Sequence, residues 1–138
     1  MKNHLAPGEY YIGDPCYVID HEKWDEFCGE LWDAQKRRRT IFTFDNYDVA
    51  VMQTEWGDGQ YESSEGIDLG VDAGIIGAIP MELITRGDPY DDGMVVTFND
   101  AFECSNKNGT LWFGAVWVET NPEDNENECP YCGGECCR

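Results

Sequence analysis

Gly57 to Pro80, GDGQYESSEGIDLGVDAGIIGAIP, decides the fold. It holds six glycines, an alternating acidic and apolar segment, and a short apolar run. Asp58-Gly59 lies between two runs with strand character, Tyr47 to Trp56 and Gln60 to Ser63. Asp-Gly tolerates positive φ, so the pair predicts a tight hairpin turn. Ile67 to Asp72 alternates strictly. This predicts a half-buried strand with Ile67, Leu69 and Val71 inward and Asp68, Gly70 and Asp72 on an open acidic face. Gly74 and Gly77 interrupt Ile75, Ile76, Ala78 and Ile79, a pattern that marks a bulge or the close approach of a backbone or ligand.

The flanking segments supply what packs around this stretch. Residues 8–19, GEYYIGDPCYVI, predict a short strand, a Gly-Asp-Pro turn and a second short strand. Residues 21–36 predict the long helix. Asp20 caps it, and Trp24, Phe27, Cys28, Leu31 and Trp32 form a stripe that requires burial. Lys36 to Arg39 close the helix where cations favour its dipole, and internal ion pairing is expected for them. Thr40 to Phe44 and Tyr47 onward read as strands around an Asp45-Asn46 turn. Pro80 to Gly87 predicts a short helix, and Asp88 to Gly93 a solvated loop. Met94 to Phe98, Ala101 to Cys104 and Leu111 to Val118 predict three more strands, the last two joined through Asn108-Gly109. Trp112, Gly114, Val116 and Val118 are expected on one face of the final strand. Strands adjacent in sequence favour antiparallel pairing. The expected fold is α+β: a largely antiparallel twisted sheet, one long amphipathic helix, one short helix, and a flexible Cys-rich tail. Residues 1–118 form a single domain in this reading, and 119–138 an acidic linker and tail.

With 138 residues, 41% of them hydrophobic and 13% aromatic, the chain is large enough for one core. It carries 28 acidic against 9 basic residues, a formal net charge of −19. Residues 1–69 hold 15 acidic and 6 basic side chains, and residues 70–138 hold 13 and 3, so the excess runs along the whole length. Direct binding to nucleic-acid phosphates or anionic lipid is disfavoured, because affinity there comes from Lys and Arg. A basic partner, a metal ion, or mimicry of nucleic-acid charge fits. The first residues lack the apolar segment of a signal peptide, and no run reaches the length of a membrane span. A cytoplasmic location is expected. In a reducing compartment seven cysteines point to metal before disulfides.

Two clusters are candidates for chemistry. Asp14, Asp58 and Asp72, with Tyr61 and Asp68, form a candidate ligand or divalent-metal site, and the first three are the candidate catalytic residues of a hydrolase. Asp68 and Asp72 stand about 13 Å apart on one strand at ~3.3 Å per residue, so each needs partners from elsewhere. A Cys16–His21 nucleophilic pair is the weaker alternative to a structural cysteine. The tail carries Cys129, Cys132, Cys136 and Cys137, a candidate zinc set. A tetrahedral site needs four ligands; after three tail thiolates the fourth is the remaining tail Cys, Cys104 or a group from a second copy.

Through YIGDPCYVI, GDGQY and GVDAGIIGAIP, the chain resembles a family of small bacteriophage and bacterial proteins, from about Tyr10 to Thr120. The aspartates of those motifs fall on Asp14, Asp58 and Asp72. The resemblance implies a phage or bacterial origin and no particular activity. CPYCG resembles the knuckle of rubredoxins and zinc ribbons over residues 129–133 alone. The leading functional expectation is a non-enzymatic accessory protein that binds a host or phage protein with a basic surface, in one version by mimicking nucleic acid. The alternatives are a small-molecule or metal-dependent site on the aspartates, and a zinc-knuckle interaction module in the tail.

Overall fold

Ile75–Pro80 is buried at all six positions, so the strand needs apolar cover on both faces. A computed structural model, describing residues 4–55 and 57–120, provides that cover as three layers. The strands are β1 (His4–Leu5), β2 (Gly8–Gly13), β3 (Ile41–Phe44), β4 (Tyr47–Gln53), β5 (Gly59–Glu62), β6 (Asp68–Val71), β7 (Ile75–Pro80), β8 (Met94–Phe98), β9 (Phe102–Lys107), β10 (Thr110–Phe113) and β11 (Val116–Glu119). The long helix α1 spans His21–Lys36. A five-stranded sheet of order β3-β4-β7-β2-β8 forms the middle layer. One of its faces carries α1, and the other meets a second layer of order β1-β9-β10-β11, continued by the β5–β6 hairpin through a Ser63–Val118 bridge. All strand pairs are antiparallel, and the fold is α+β.

Alternation along the central strands feeds two cores. Ile12, Ala50, Met52, Ile76 and Ala78 point towards the second sheet, where they meet Leu69, Val71, Leu111, Phe113, Val116 and Val118. Tyr11, Val49, Val51, Ile75 and Ile79 point the other way, onto Phe27 and Leu31 of α1. The expected apolar run is therefore the middle strand of a doubly covered sheet. Gly77 makes no bulge: it pairs with Val51 and Gly13 in regular register, and a Cβ there would stand 2.8 Å from the Ala50 carbonyl oxygen.

The helix keeps its expected limits. Asp20 accepts from the Glu22 amide at 2.9 Å, and the chain leaves α1 through Arg38 at φ +58°. Phe27, Leu31 and Ala34 are its buried residues. Trp32 is 65% exposed, a correction to the expected stripe: burial is centred on Phe27 and Leu31, and position 32 falls beyond the edge of the sheet contact. Two hairpins close as expected. Asp45 and Asn46, and later Asn108 and Gly109, all have positive φ, as two-residue primed turns require.

Four local expectations are corrected. Asp58-Gly59 is no hairpin, because β4 pairs with β3 and β7, while β5 pairs with β6 in the other sheet. The segment carries the chain between layers. The turn of that neighbourhood is at Ser63–Gly66, where Ser63 Oγ accepts from the amides of Glu65 and Ile67. Residues after Pro15 form a 3-10 turn at Pro15–Tyr17 in place of a second strand, since Asp14 caps it. The helix expected over 80–87 shrinks to a 3-10 turn at Met81–Leu83, and the Thr85 amide goes to the Val18 carbonyl at 3.1 Å. Finally, Leu111 to Val118 is two strands. Gly114 turns at φ +63°, where a Cβ would fall 2.9 Å from Phe102 Cβ. That turn inverts the expected face: Leu111, Phe113, Val116 and Val118 are buried, while Trp112 and Trp117 face each other outside, 6.2 Å apart.

The body also extends past the expected boundary. Thr120 is fully buried, its amide donating to the Gly109 carbonyl and its hydroxyl oxygen accepting from the Glu55 amide at 3.1 Å. Among the described residues, no helix is long and apolar enough to cross a membrane.

Candidate functional site

Asp14 follows β2 and precedes Pro15, which holds it in extended geometry at φ −77°, ψ 121°. Its side chain is wholly enclosed. Oδ1 accepts from the Cys16 amide at 2.9 Å, capping the 3-10 turn. Oδ2 accepts from the Asp72 amide at 2.8 Å and the Ala73 amide at 2.6 Å, across the turn between β6 and β7. The Tyr11 hydroxyl donates to the Asp14 carbonyl at 3.0 Å. Three backbone donors on one carboxylate make a strong, charge-assisted anchor, and they occupy the lone pairs that a metal would use. The position ties β2, the 3-10 turn and the β6–β7 turn into one knot.

Asp72 lies beside it through its backbone, and its side chain is exposed. Burial and the Asp72 charge raise the Tyr17 hydroxyl well above its ordinary range. Asp92 approaches from the loop before β8: its carbonyl accepts the Gly70 amide at 3.0 Å, and its carboxylate covers Gly70. Gly70 is therefore buried, while Asp72, from the same expected face, is exposed. Asp68, at the start of β6, is exposed.

Asp58 occupies the exposed turn between Gly57 and Gly59. The turn is held from its carbonyl side, with Thr54 Oγ1 at 2.6 Å and Tyr61 Oη at 2.8 Å both donating to the Gly57 carbonyl. Tyr61 thus spends its hydroxyl on the turn while its ring packs on the core. The structure joins Asp14 to the Asp72 amide, Asp58 directly precedes Gly59, which pairs with Val71 next to Asp72, and Asp68 lies at the other end of β6. Among the described residues, no group of three or more His, Cys, Asp or Glu side chains is disposed to hold a metal ion.

The cysteines have equally clear surroundings. Burial, then the charge and hydrogen bond of Asp14, push the Cys16 thiol up to about 12. His21 stacks its ring nitrogens against Arg86 Nη1 at 3.0 and 3.3 Å and takes no part in activating Cys16. A nucleophilic pair is thus absent, since a thiol held protonated is a poor nucleophile. Cys104 is 2% exposed between the sheets and is likewise pushed up to about 12, chiefly by burial. It is enclosed in the apolar core with Phe102, Leu111 and Phe113. Cys129, Cys132, Cys136 and Cys137 lie outside the described residues.

These thiols give a pH prediction. A thiol whose folded value is raised keeps its proton in the native state while the unfolded chain loses it, so stability falls as pH rises from about 9 towards 12. Urea midpoints measured between pH 8 and 11 are expected to drop, and Cys16→Ala is expected to flatten the slope. A slope indifferent to Cys16→Ala would contradict the buried, protonated thiol.

Sequence reasoning passed over the outer side of the seam between β5 and β11. Trp117 and Glu119 project there because Val116 and Val118 point inward. The composition places Glu119 in the polar spacer, and the turn at Gly114 conceals which face Trp117 takes. The paired tryptophans of a short hairpin, Trp112 and Trp117, were the available signal. We compared the chain with family models, curated proteins and solved structures, and none of them matches it.

Proposed function

We propose that the chain is a non-enzymatic accessory protein of phage or bacterial origin that binds a host factor with a basic surface, presenting carboxylates where that factor accepts nucleic-acid phosphates. The supporting observation is the placement of charge. Residues 40–120 carry 15 acidic side chains and two basic ones, Arg86 and Lys107. The remaining described bases lie on α1 and just beyond it, where Lys23 pairs with Asp45 at 2.6 Å and Arg37 with Asp33 at 3.1 Å. Among the described residues, no carboxylate from Asp58 to Asp92 has an ion-pair partner. These carboxylates therefore present unneutralised negative charge, which steers a cationic partner and rejects polyanions. The buried, fully bonded Asp14 weighs against the hydrolase alternative.

The test is competition. Basic DNA-binding proteins of a bacterial host, each seated on a fluorescent duplex, are titrated with the full chain. Release of duplex is expected for at least one, with the midpoint weakening about tenfold or more between roughly 50 and 300 mM salt, because surface charges are screened. Release that ignores salt would remove charge mimicry. No release, with no co-eluting complex, would overturn the reading.

A further inference from the structure

A groove of about 610 Å³ runs along the seam between β5 and β11. Its walls include Tyr61, Glu62, Ser64, Trp117 and Glu119, and among the described residues no basic side chain lines it. The backbone of Trp117 is fixed twice to Ser64: its amide donates to Ser64 Oγ at 3.0 Å, and its carbonyl accepts the Ser64 amide at 2.7 Å. The indole is braced by Trp112. The groove thus has an aromatic platform whose position does not depend on a ligand.

Two observations give the groove a chemical preference. Glu119 Oε1 accepts from Thr110 Oγ1 at 2.6 Å, but Oε2, removed from solvent, has no hydrogen-bond partner among the described residues. An enclosed acceptor without a donor is costly, and a donor delivered to it is correspondingly favourable. Next to it, Lys107 Nζ stands 6.0 Å from the Trp112 ring centroid, so this face already seats a cation of its own on one indole. Among the described residues, the neighbouring indole of Trp117 has no such cation.

We propose that this groove receives an arginine side chain from a basic segment of the partner, with the guanidinium stacked on Trp117 and donating to Glu62 and to Glu119, whose carboxylate turns into the groove on binding. Arginine fits better than lysine, because its planar fork stacks on an aromatic ring and can donate to two carboxylates at once. The inference rests on the basic-partner reading and gives that reading an anchor point.

The experiment titrates full-length protein with three nine-residue peptides, identical except that the central residue is Arg, Lys or neutral citrulline, the remaining positions carrying lysines. Tryptophan fluorescence and amide chemical shifts are followed. The Arg peptide is expected to bind about five- to tenfold more tightly than the Lys peptide, with shifts centred on Ser64, Trp117 and Glu119. Citrulline is expected to lose that advantage. Glu119→Gln keeps the volume and an oxygen for Thr110, and is expected to weaken the Arg peptide about tenfold while leaving thermal unfolding nearly unchanged. Equal binding of the three peptides, shifts elsewhere, or indifference to Glu119→Gln would overturn the groove. If salt-sensitive duplex displacement persists in Glu119→Gln at full strength, the groove fails and the basic-partner reading survives. If displacement is absent from the parent chain too, the broader reading fails.

Discussion

Asp14→Asn is expected to cost about 4 kcal/mol of stability, the loss of charge-assisted bonds plus donors left without acceptors. The carboxylate serves three amides, from Cys16, Asp72 and Ala73. An asparagine oxygen can keep one side of that set. Its NH2 group would then face N–H donors, and the enclosed site has no solvent to accept them. In a chain of this size about 4 kcal/mol corresponds to a fall in Tm of roughly 10–15 °C. Thermal and urea unfolding of Asp14→Asn against Asp58→Asn would show it, since Asp58 is exposed and its replacement should stay within about 0.5 kcal/mol. The comparison also separates two roles for the aspartates. A metal ligand at Asp14 would leave the metal-free fold nearly as stable after substitution, whereas an anchor would not. A loss under about 1 kcal/mol would show that the three amides do not depend on the carboxylate.

Phe27→Ala should be the second large loss, about 4 kcal/mol, within the range for truncating a buried ring. Phe27 is fully enclosed, stacked on Trp24 at 5.4 Å, edge-on to Phe44 at 5.1 Å and tilted against Phe42 at 5.6 Å. It is the residue through which α1 grips the hairpin of β3 and β4, so a cavity there has rigid walls on several sides. Trp32→Ala removes a larger ring from the same helix, but one that is 65% exposed, and should change stability by about 0.5 kcal/mol or less. Urea midpoints of the two variants make the comparison. Similar losses would mean that α1 is seated on the sheet through a face centred elsewhere.

The contrast between those residues shows where sequence reading succeeds. The periodicity of Trp24, Phe27, Cys28, Leu31 and Trp32 locates a helix, but the arc that becomes buried is set by the width of the sheet beneath it. The two-residue turns at Asp45-Asn46 and Asn108-Gly109 were legible because their residue types tolerate the positive φ those turns require. Asp58-Gly59 carries the same signal and misleads, because turn chemistry is local while partner choice is not. The strand before it already had β3 and β7 as neighbours. At Gly114-Ala115 the opposite occurs: the six flanking strand formers, Leu111 to Phe113 and Val116 to Val118, hide a turn that is enforced by the approach of Phe102. Asp14, Asp58 and Asp72 were legible as one candidate cluster, and the structure ties Asp14 to the Asp72 backbone. The role of Asp14 was hidden, since its partners are amides from residues 58 and 59 positions further along, and backbone donors leave no mark in a sequence.

The strand order has a consequence for synthesis. β2 takes its place between β7 and β8, and β1 pairs with β9, so the earliest strands wait for partners made near the end of the body. The five-stranded sheet is complete only when β8 has been made, at Phe98, and the second sheet waits for β9 to β11. Pairings this distant along the chain place folding in the milliseconds-to-seconds range. In that interval Ile75 to Ile79, destined for cover on both faces, is an exposed sticky segment. Gly77 within it, Asp72 before it and Pro80 after it are residue types that discourage intermolecular strand growth. The features that leave the finished strand regular thus also protect the nascent chain from aggregation.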